Sequence, residues 1–223
     1  MVNGCVLIPA YNEQVHIGDV IQSSKKFLPV IVVDDGSQDE TVQIAEQNGA
    51  RVFKQVPNQG KGAALRRGFQ EAMSQSYEFV ITLDADGQHA PHEILAFLSE
   101  WEKAKTDLII GFRNFSQMPF IRKFSNSTGT YLFSRAVGRK ILDNQSGYRL
   151  ISQPLMKLLL VSKEQGFEFE VEMIVTCIKE GLKLGWVPIS TIYGDEKSHI
   201  QPVKHVVNFL RVVRQARKSL KIK

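Results

Sequence analysis

The stretch Phe79-Val80-Ile81-Thr82-Leu83-Asp84-Ala85-Asp86-Gly87 places two carboxylates directly after a mostly apolar run. A continuous run of this kind, rich in β-branched residues, predicts a strand that is buried on both faces. Gly87 allows the chain to turn sharply behind that strand. We therefore expect Asp84 and Asp86 at the carboxyl end of a buried strand, where open parallel sheets bind their ligands.

Similar apolar runs alternate with helical patterns over the first 112 residues. Predicted strands cover residues 5–9, 30–33, 51–53, 79–83 and 107–111, and predicted helices cover 13–26, 40–47, 62–76 and 91–103. Strands with continuous rather than alternating apolar residues are typical of parallel sheets with helices on both faces. The predicted fold class is therefore α/β, with a Rossmann-like, mostly parallel sheet.

The second half of the chain has a less regular pattern. Helices are predicted over 120–139, from Pro154 onward and over 169–180, with short strands at 150–151 and 184–189. From Pro202 the apolar spacing is helical again. We divide the chain into one domain over residues 1–200 and a basic amphipathic C-terminal helix over residues 201–223.

The composition is that of a soluble globular domain. Of the 223 residues, 43% are hydrophobic, which suffices for one full core. The two cysteines have neither a disulfide framework nor a zinc spacing, and buried thiols suit a reducing cytoplasm. No apolar run reaches the roughly 18 residues of a membrane span, and the first residues lack the basic region of a signal peptide. We expect a soluble or peripheral cytoplasmic protein.

The net charge of +5 is concentrated in the C-terminal segment. Residues 204–223 contain seven Lys or Arg residues and no Asp or Glu, which leaves 21 basic against 23 acidic residues in the rest. The near-neutral body argues against nucleic-acid binding. In the tail an apolar stripe opposes a basic face, so this helix either rests on an anionic membrane surface or a membrane protein, or docks on the body.

The carboxylates of Asp84 and Asp86 suit a divalent cation. A hard cation such as Mg²⁺ or Mn²⁺ takes oxygen ligands, and one or two carboxylates suffice when substrate phosphates complete its shell. A cation that bridges a diphosphate is the predicted use of this pair. The alternative is a surface turn in which the aspartates bond their own backbone.

Two further polar clusters follow predicted strands. Asp34 and Asp35 can accept hydrogen bonds from a base or a ribose, although a helix cap alone would also explain them. Tyr11 offers a ring for stacking on a base, with Glu13 nearby. Lys61 begins a predicted helix and can meet a diphosphate, although its surroundings are not a P-loop. The absence of GxGxxG after the first strand argues against a dinucleotide dehydrogenase.

Five motifs stand in a fixed order: Pro9-Ala10-Tyr11-Asn12-Glu13, Val32-Val33-Asp34-Asp35-Gly36-Ser37-Gln38-Asp39, Asn58-Gln59-Gly60-Lys61-Gly62, Asp84-Ala85-Asp86-Gly87-Gln88 and Gln145-Ser146-Gly147-Tyr148-Arg149. Together they resemble the family-2 inverting glycosyltransferases of the GT-A fold. The similarity is greatest to the dolichol-phosphate mannosyltransferase type, which includes bacterial polyprenyl-phosphate glycosyltransferases. The resemblance covers residues 4–200.

The resemblance implies a role for each matching residue. The nucleoside pocket would be lined by Pro9, Tyr11, Glu13, Asp34 and Asp35. Asp84 would contact the ribose or the diphosphate and share the metal with Asp86, the main ligand, and Gln88. The donor phosphates would also meet Lys61 and Lys197, whereas the acceptor phosphate would meet Arg113, Arg122, Ser127 and Arg149. Asp143 would be the second catalytic residue beside Asp86.

The acceptor class depends on whether a base is needed. A hydroxyl acceptor would need a general base such as Asp143, whereas a phosphate is already an anion and needs cations to hold it. The phosphate is favoured by a basic cluster of Arg113, Arg122, Lys123, Arg135 and Arg139. For Arg135 and Arg139 a solvated helix face is an alternative.

We therefore predict a metal-dependent, inverting transfer of a hexose from a nucleotide-diphosphate sugar to a polyprenyl phosphate at the inner membrane face. Transfer to a hydroxyl of a glycan, lipid or metabolite is the first alternative, and an inactive nucleotide-sugar-binding scaffold is the second. The stretch Phe167-Glu168-Phe169-Glu170-Val171-Glu172-Met173 is the one feature left open. Its carboxylates either reach the pocket or favour the start of a helix.

Overall fold

The computed structural model describes residues 2–113, 120–166 and 168–190, together with residues 211, 213, 214, 217, 218 and 220; for residues 120–126 it describes the backbone alone. Within these ranges seven strands form one sheet. The strands are β1 Gly4–Ala10, β2 Val30–Asp34, β3 Arg51–Lys54, β4 Phe79–Thr82, β5 Leu108–Arg113, β6 Arg149–Ser152 and β7 Leu184–Ile189.

Helices follow most of these strands, as the alternating pattern predicts. They are α1 Ile17–Ser24, α2 Thr41–Gln47, α3 Lys61–Ser74, α4 Ile94–Ala104, α5 Phe120–Val137, α6 Gln153–Leu159 and α7 Glu168–Lys179. A short 3₁₀ turn, Pro91–Glu93, leads into α4. The first helix begins four residues later than predicted, because Asn12 has a φ of 56° and the carbonyl of Glu13 closes turns with His16 and Ile17.

The strand order is β3-β2-β1-β4-β6-β5-β7. All neighbouring pairs are parallel except those of β6, which runs antiparallel between β4 and β5. The expected mostly parallel sheet is thus confirmed. Because β6 is reversed, its amino end lies at the same edge as the carboxyl ends of β1, β2, β4 and β5. The polar residues that follow β1, β2, β4 and β5 and those that precede β6 therefore lie along one edge of the sheet.

The sheet is buried on both faces. Alternate residues of β1 divide between two cores: Cys5 and Leu7 pack with α3, α6 and α7, whereas Val6 and Ile8 pack with α1 and α4. Helix α3 approaches β1 closely at Gly68, where a Cβ would lie 2.3 Å from the Leu7 side chain. Burial on both faces explains why the strand sequences are continuously apolar.

The described part of the C-terminal segment lies against the body. Val213 and Leu220 pack on the core that contains α3 and α7, and the guanidinium of Arg211 binds the carboxylate of Glu164 at 2.9 and 2.8 Å. The rest of the predicted C-terminal helix, and therefore the boundary near residue 200, lies outside the described residues. Among the described helices, none is long and apolar enough to cross a membrane.

Candidate active site

The turn after β4 carries the carboxylates from which the sequence analysis started. Asp84 follows the strand, Ala85 is buried, and Gly87 has a φ of 75° that lets the chain reverse. A carboxylate oxygen of Asp86 accepts the backbone N–H of Gln88 at 3.0 Å. The turn is thus bonded to its own backbone, as the alternative interpretation requires, yet it stands at the ligand-binding edge of the sheet.

Lys61 joins this turn to two other elements. Its ammonium lies 2.5 Å from Asp84 Oδ1 and 2.8 Å from Glu170 Oε1, so that it bridges the start of α3, the β4 turn and the first turn of α7. Burial, the largest single influence, would raise the pKa of Asp84, but the charge and hydrogen bond of Lys61 together with other nearby charged groups lower this pKa to about 2. Burial opposes the charge of Lys61 as well, and the two carboxylates nevertheless raise its pKa. Lys61 and Asp84 are therefore both charged near neutral pH.

The glycines beside Lys61 fix the backbone of this loop. Gly60 has a φ of 91°, and a Cβ on it would lie 2.5 Å from the carbonyl oxygen of Gln165. A Cβ on Gly62 would lie 2.7 Å from the carbonyl oxygen of Glu164, and the Gly62 N–H donates to the Gln165 carbonyl at 2.7 Å. Only glycine permits this close approach of two backbone segments. The loop that presents Lys61 is thus set by backbone contacts.

Asp34 and Asp35 lie at the end of β2 but have different surroundings. Asp35 is buried, and its carboxylate accepts the side chain of Gln55 and the backbone N–H groups of Gln59 and Gly60. It therefore holds the loop that leads to Lys61. One oxygen of Asp34 accepts the N–H groups of Gly36 and Ser37, whereas its Oδ1 is buried without a hydrogen-bond partner among the described residues.

The residues after β1 adjoin this aspartate. The Asn12 N–H donates to the hydroxyl of Ser37 at 2.8 Å, and the Glu13 N–H donates to the hydroxyl of Thr41 at 2.7 Å. Pro9 pairs with Val33 across the strands, while Tyr11 is 46% exposed. Pro9, Tyr11 and Glu13 thus lie at the same edge of the sheet as Asp34, and their role around a nucleoside stays a prediction.

Arg113, at the end of β5, forms a two-pronged ion pair with Asp143. Its Nε and Nη2 atoms lie 2.7 and 3.1 Å from the two oxygens of this carboxylate. Asp143 is 1% exposed, and its Oδ1 also accepts the N–H groups of Gln145 and Ser146. A carboxylate held in this way orients an arginine and a loop, and it is poorly placed to take a proton from an acceptor.

Arg149 differs from the prediction. It is 1% exposed, and its guanidinium donates to the carbonyls of Asn144, Ser146 and Glu170. The predicted contact of Arg149 with an acceptor phosphate is therefore corrected to a role inside the protein, where it ties the loop before β6 to α7. The sequence motif contained no signal of this burial.

Two site residues were missed by reasoning from the sequence. Glu170 was only one of several acids in an ambiguous stretch, yet it is 4% exposed and contacts Lys61. His89 is buried against the ring of Tyr148, 5.1 Å between centroids, and its Nδ1 faces the Asp84 N–H at 3.4 Å. Burial is the largest cause that lowers the pKa of His89, so the ring is neutral at physiological pH.

The sequence model of glycosyl transferase family 2 matches residues 5–159 of the chain. The chain belongs to this family. A UDP-N-acetylglucosamine–dolichyl-phosphate N-acetylglucosaminyltransferase of Methanococcus voltae is 29% identical over 85% of this chain and 86% of its own length. The polyprenol monophosphomannose synthase of Mycolicibacterium smegmatis is 28% identical over 83% of this chain and 76% of its own length. The chain is accordingly a glycosyltransferase.

The solved structures of glucosyl-3-phosphoglycerate synthase from Mycobacterium tuberculosis share the fold. The complex of that enzyme with UDP has a TM-score of 0.76 at 21% identity, over 100% of this chain and 81% of the other. The complex with Mn²⁺, UDP and glucosyl-3-phosphoglycerate has a TM-score of 0.72. This likeness confirms the GT-A-type architecture.

The residues of the family-2 site fit a divalent cation that a diphosphate helps to hold. No group of three or more His, Cys, Asp or Glu side chains in the described ranges could bind a metal without help. Asp84, Asp86 and Gln88 nonetheless offer oxygen atoms around one turn, which suits a hard cation whose other ligands are phosphate oxygens and water. The charge of Asp84 adds to this fit.

Other predicted residues could not be placed in the site. Lys197 and the side chain of Arg122 lie outside the described residues, and Ser127 is exposed on α5. Arg135 is exposed on α5, as a solvated helix face predicts, and Arg139 is exposed just beyond the end of this helix. Of the predicted basic cluster, Arg113 is the residue that the described structure places at the edge of the sheet.

Proposed function

We propose that this glycosyltransferase moves a hexose from a nucleotide-diphosphate sugar to a polyprenyl phosphate, with inversion and with Mg²⁺ or Mn²⁺. The observation that carries this choice of acceptor is the enclosed ion pair of Asp143 with Arg113. A hydroxyl acceptor needs a base, whereas a phosphate acceptor needs a fixed cation, and this pair supplies the cation. Relatives named for dolichyl-phosphate and polyprenol products support the same acceptor class.

The donor would lie across the ends of β1, β2 and β4. Tyr11 would stack on the base, and the buried Oδ1 of Asp34 would accept a hydrogen bond from the base or the ribose. Asp84, Asp86 and Gln88 would hold the cation, which neutralises charge on the diphosphate as it departs. Lys61 would bind the diphosphate from the side of α3, at the amino end of a helix, where anions are favoured.

The acceptor would approach from the ends of β5 and β6. Arg113, held by Asp143, would bind the acceptor phosphate and aim one oxygen at the anomeric carbon of the sugar. The phosphate oxygen attacks as the bond to the nucleoside diphosphate breaks on the opposite face, which inverts the anomeric centre. Asp143 does not move a proton in this scheme. Its function is to keep Arg113 in one orientation.

The acceptor identity can be tested with the purified protein. It is incubated with Mn²⁺, labelled UDP-glucose, UDP-N-acetylglucosamine or GDP-mannose, and vesicles that contain undecaprenyl or dolichyl phosphate. We expect label in an acid-labile lipid fraction. Label that appears only in a polar glycan or metabolite fraction when such acceptors are supplied would replace the phosphate acceptor by a hydroxyl. No turnover under any of these conditions would favour the inactive scaffold.

If the acceptor is a lipid, the enzyme must act at the inner face of a membrane. The tail was predicted either to rest on a membrane surface or membrane protein or to dock on the body, and in the described part Val213 and Leu220 pack against the body. Arg214, Arg217 and Lys218 are exposed, so electrostatic attraction to anionic lipids is the proposed contact. Replacement of these three residues by Gln should weaken sedimentation with anionic vesicles. Unchanged sedimentation would remove the tail from this role.

A further inference from the structure

Glu170 is a buried acid at the active site to which the proposed reaction has assigned no task. It lies in the first turn of α7, and its Oε1 is 2.8 Å from the ammonium of Lys61. Lys61 therefore has two carboxylate partners on different elements, since Asp84 belongs to the turn after β4. One of these partners is a predicted metal ligand and the other is not.

The two partners differ in how firmly they are held. The side chain of Asp84 is 28% exposed at a turn, whereas that of Glu170 is 6% exposed within a helix. The backbone of Glu170 is fixed by Arg149, whose guanidinium donates to its carbonyl. The preceding ring, Phe169, packs against Phe69 in the core at 6.1 Å between centroids. Glu170 is thus the rigid partner.

A cation at Asp84 and the ammonium of Lys61 compete for one carboxylate. The side chain of Lys61 is 17% exposed, and an ammonium that has lost most of its water is costly unless it remains paired. If Lys61 depended on Asp84 for its ion pair, the entry of a divalent cation at Asp84 would weaken that ion pair. Because Glu170 remains paired with Lys61, Asp84 can bind the cation while Lys61 stays beside the diphosphate.

We propose that Glu170 is a positioning residue of the donor site, which retains Lys61 at the diphosphate and thereby frees Asp84 to bind the divalent cation. The proposal rests on the metal-dependent function proposed above. It differs from a purely structural ion pair, whose loss would lower stability without changing the affinity for metal. The affinity for Mn²⁺ separates the two roles.

The central test measures Mn²⁺ binding by the loss of the free-ion EPR signal, with Mn²⁺ alone, with UDP and with GDP. Loss of a residue that supports a metal ligand typically weakens metal affinity by about 10- to 100-fold, and we expect this range for Glu170→Gln. The matched control is Glu172→Gln on the same helix, whose carboxylate bonds the hydroxyl of Ser162. It should bind Mn²⁺ like the wild type. Equal affinities for Glu170→Gln and the wild type would overturn the proposal.

The variant Lys61→Gln should change the affinity for Mn²⁺ in the opposite direction to Glu170→Gln. Without nucleotide, removal of the competing ammonium should strengthen Mn²⁺ binding, while UDP or GDP binding weakens. The double variant Lys61→Gln/Glu170→Gln removes both charges of the ion pair between these residues. It is used in place of Glu170→Gln if that single variant does not fold. Relative to Lys61→Gln alone, the second change should no longer weaken Mn²⁺ binding in the presence of either nucleotide. A further loss of about tenfold would show that Glu170 acts without Lys61 and would overturn the proposal.

Failure of this inference is distinguishable from failure of the proposed function. A wild-type protein that binds Mn²⁺ with neither UDP nor GDP would overturn the metal-dependent function and this inference with it. A wild-type protein that binds Mn²⁺ with one of them, beside a Glu170→Gln variant of equal affinity, would overturn this inference alone.

Discussion

The donor half and the acceptor half of the site have opposite charge and are fixed by different means. The donor half, at the ends of β1, β2 and β4, places Asp84 and Glu170 around the ammonium of Lys61, and the loop that presents Lys61 is set by glycine backbone contacts. The acceptor half has Arg113 and the buried Arg149 around Asp143, and it is held by side-chain hydrogen bonds. An acidic surplus attracts a cation and a basic surplus attracts an anion. In the proposed function, one edge of the sheet would therefore bind a metal and a phosphate side by side.

The largest expected effect comes from removing a metal ligand of the donor half. Asp86→Ala should lower kcat/KM by about 10³-fold, equivalent to about 4 kcal/mol, because charge on the departing diphosphate loses its neutralising cation. The measurement is turnover of labelled donor against Mn²⁺ concentration. Asp19→Asn, on the exposed side of α1, is the matched control and should retain full activity. An Asp86→Ala variant with near-normal turnover would contradict the metal site.

The second prediction concerns the stability of the loop around Gly60 and Gly62, here called the glycine loop, which presents Lys61 in the donor half. Gly60→Ala combines a φ of 91° with a clash on the Gln165 carbonyl, and these together should lower the free energy of unfolding by about 3 kcal/mol. Gly181→Ala is the control, since Gly181 has a φ of 68° with nothing within 4 Å. It should cost about 1 kcal/mol. Urea unfolding compares them, and equal losses would mean that the close backbone approach is unimportant.

In the acceptor half, the largest loss of activity is expected when the guanidinium of Arg113 is removed. Arg113→Met should reduce kcat/KM for polyprenyl phosphate by about 10²-fold, as expected for a charged contact with the substrate. Asp143→Asn should cost far less than any change at Asp86, because it removes an orienting group rather than a base. Steady-state kinetics with each variant decide this. An Asp143→Asn loss as large as that of Asp86→Asn would identify a general base and a hydroxyl acceptor.

The smallest effect is expected at the pair of Glu164 with Arg211, which ties the tail to the segment behind the glycine loop. Exposed ion pairs contribute about 0.2–1 kcal/mol, so Arg211→Glu should shift stability by about that amount. The exchanged pair Glu164→Arg/Arg211→Glu should recover part of the loss. If donor affinity falls in the single variants and returns in the exchanged pair, the tail supports the donor half. Unchanged donor affinity would confine the pair to stability.

Much of the fold and part of the site followed from the sequence. Continuous apolar runs gave the strands, because a strand buried on both faces must be apolar at every position. The position of Asp84 and Asp86 followed from the strand before them. The direction of β6 could not be predicted in this way, since a short apolar run has the same pattern in either direction. Its reversal brings the loop before Arg149 to the site.

Side-chain partners were the part that could not be predicted. The motif that ends at Arg149 was correctly located, yet its arginine lies inside the protein, because three backbone carbonyls converge there. A general base at Asp143 was the alternative for a hydroxyl acceptor, and only the structure shows the two-pronged contact of this carboxylate with Arg113. Lys61 and Glu170 are far apart in the chain, and no local spacing relates them.

The sequence by itself determined which residues stand at the ends of strands, since that follows from hydrophobic periodicity and turn residues that act locally. It also determined the family, through the order of five motifs. Only the tertiary structure decided which charges neutralise one another, because burial and pairing depend on contacts between distant segments. The carboxylates after β4 began as a predicted metal site. In the folded protein one of them, Asp84, shares Lys61 with Glu170 on a helix that the sequence left ambiguous.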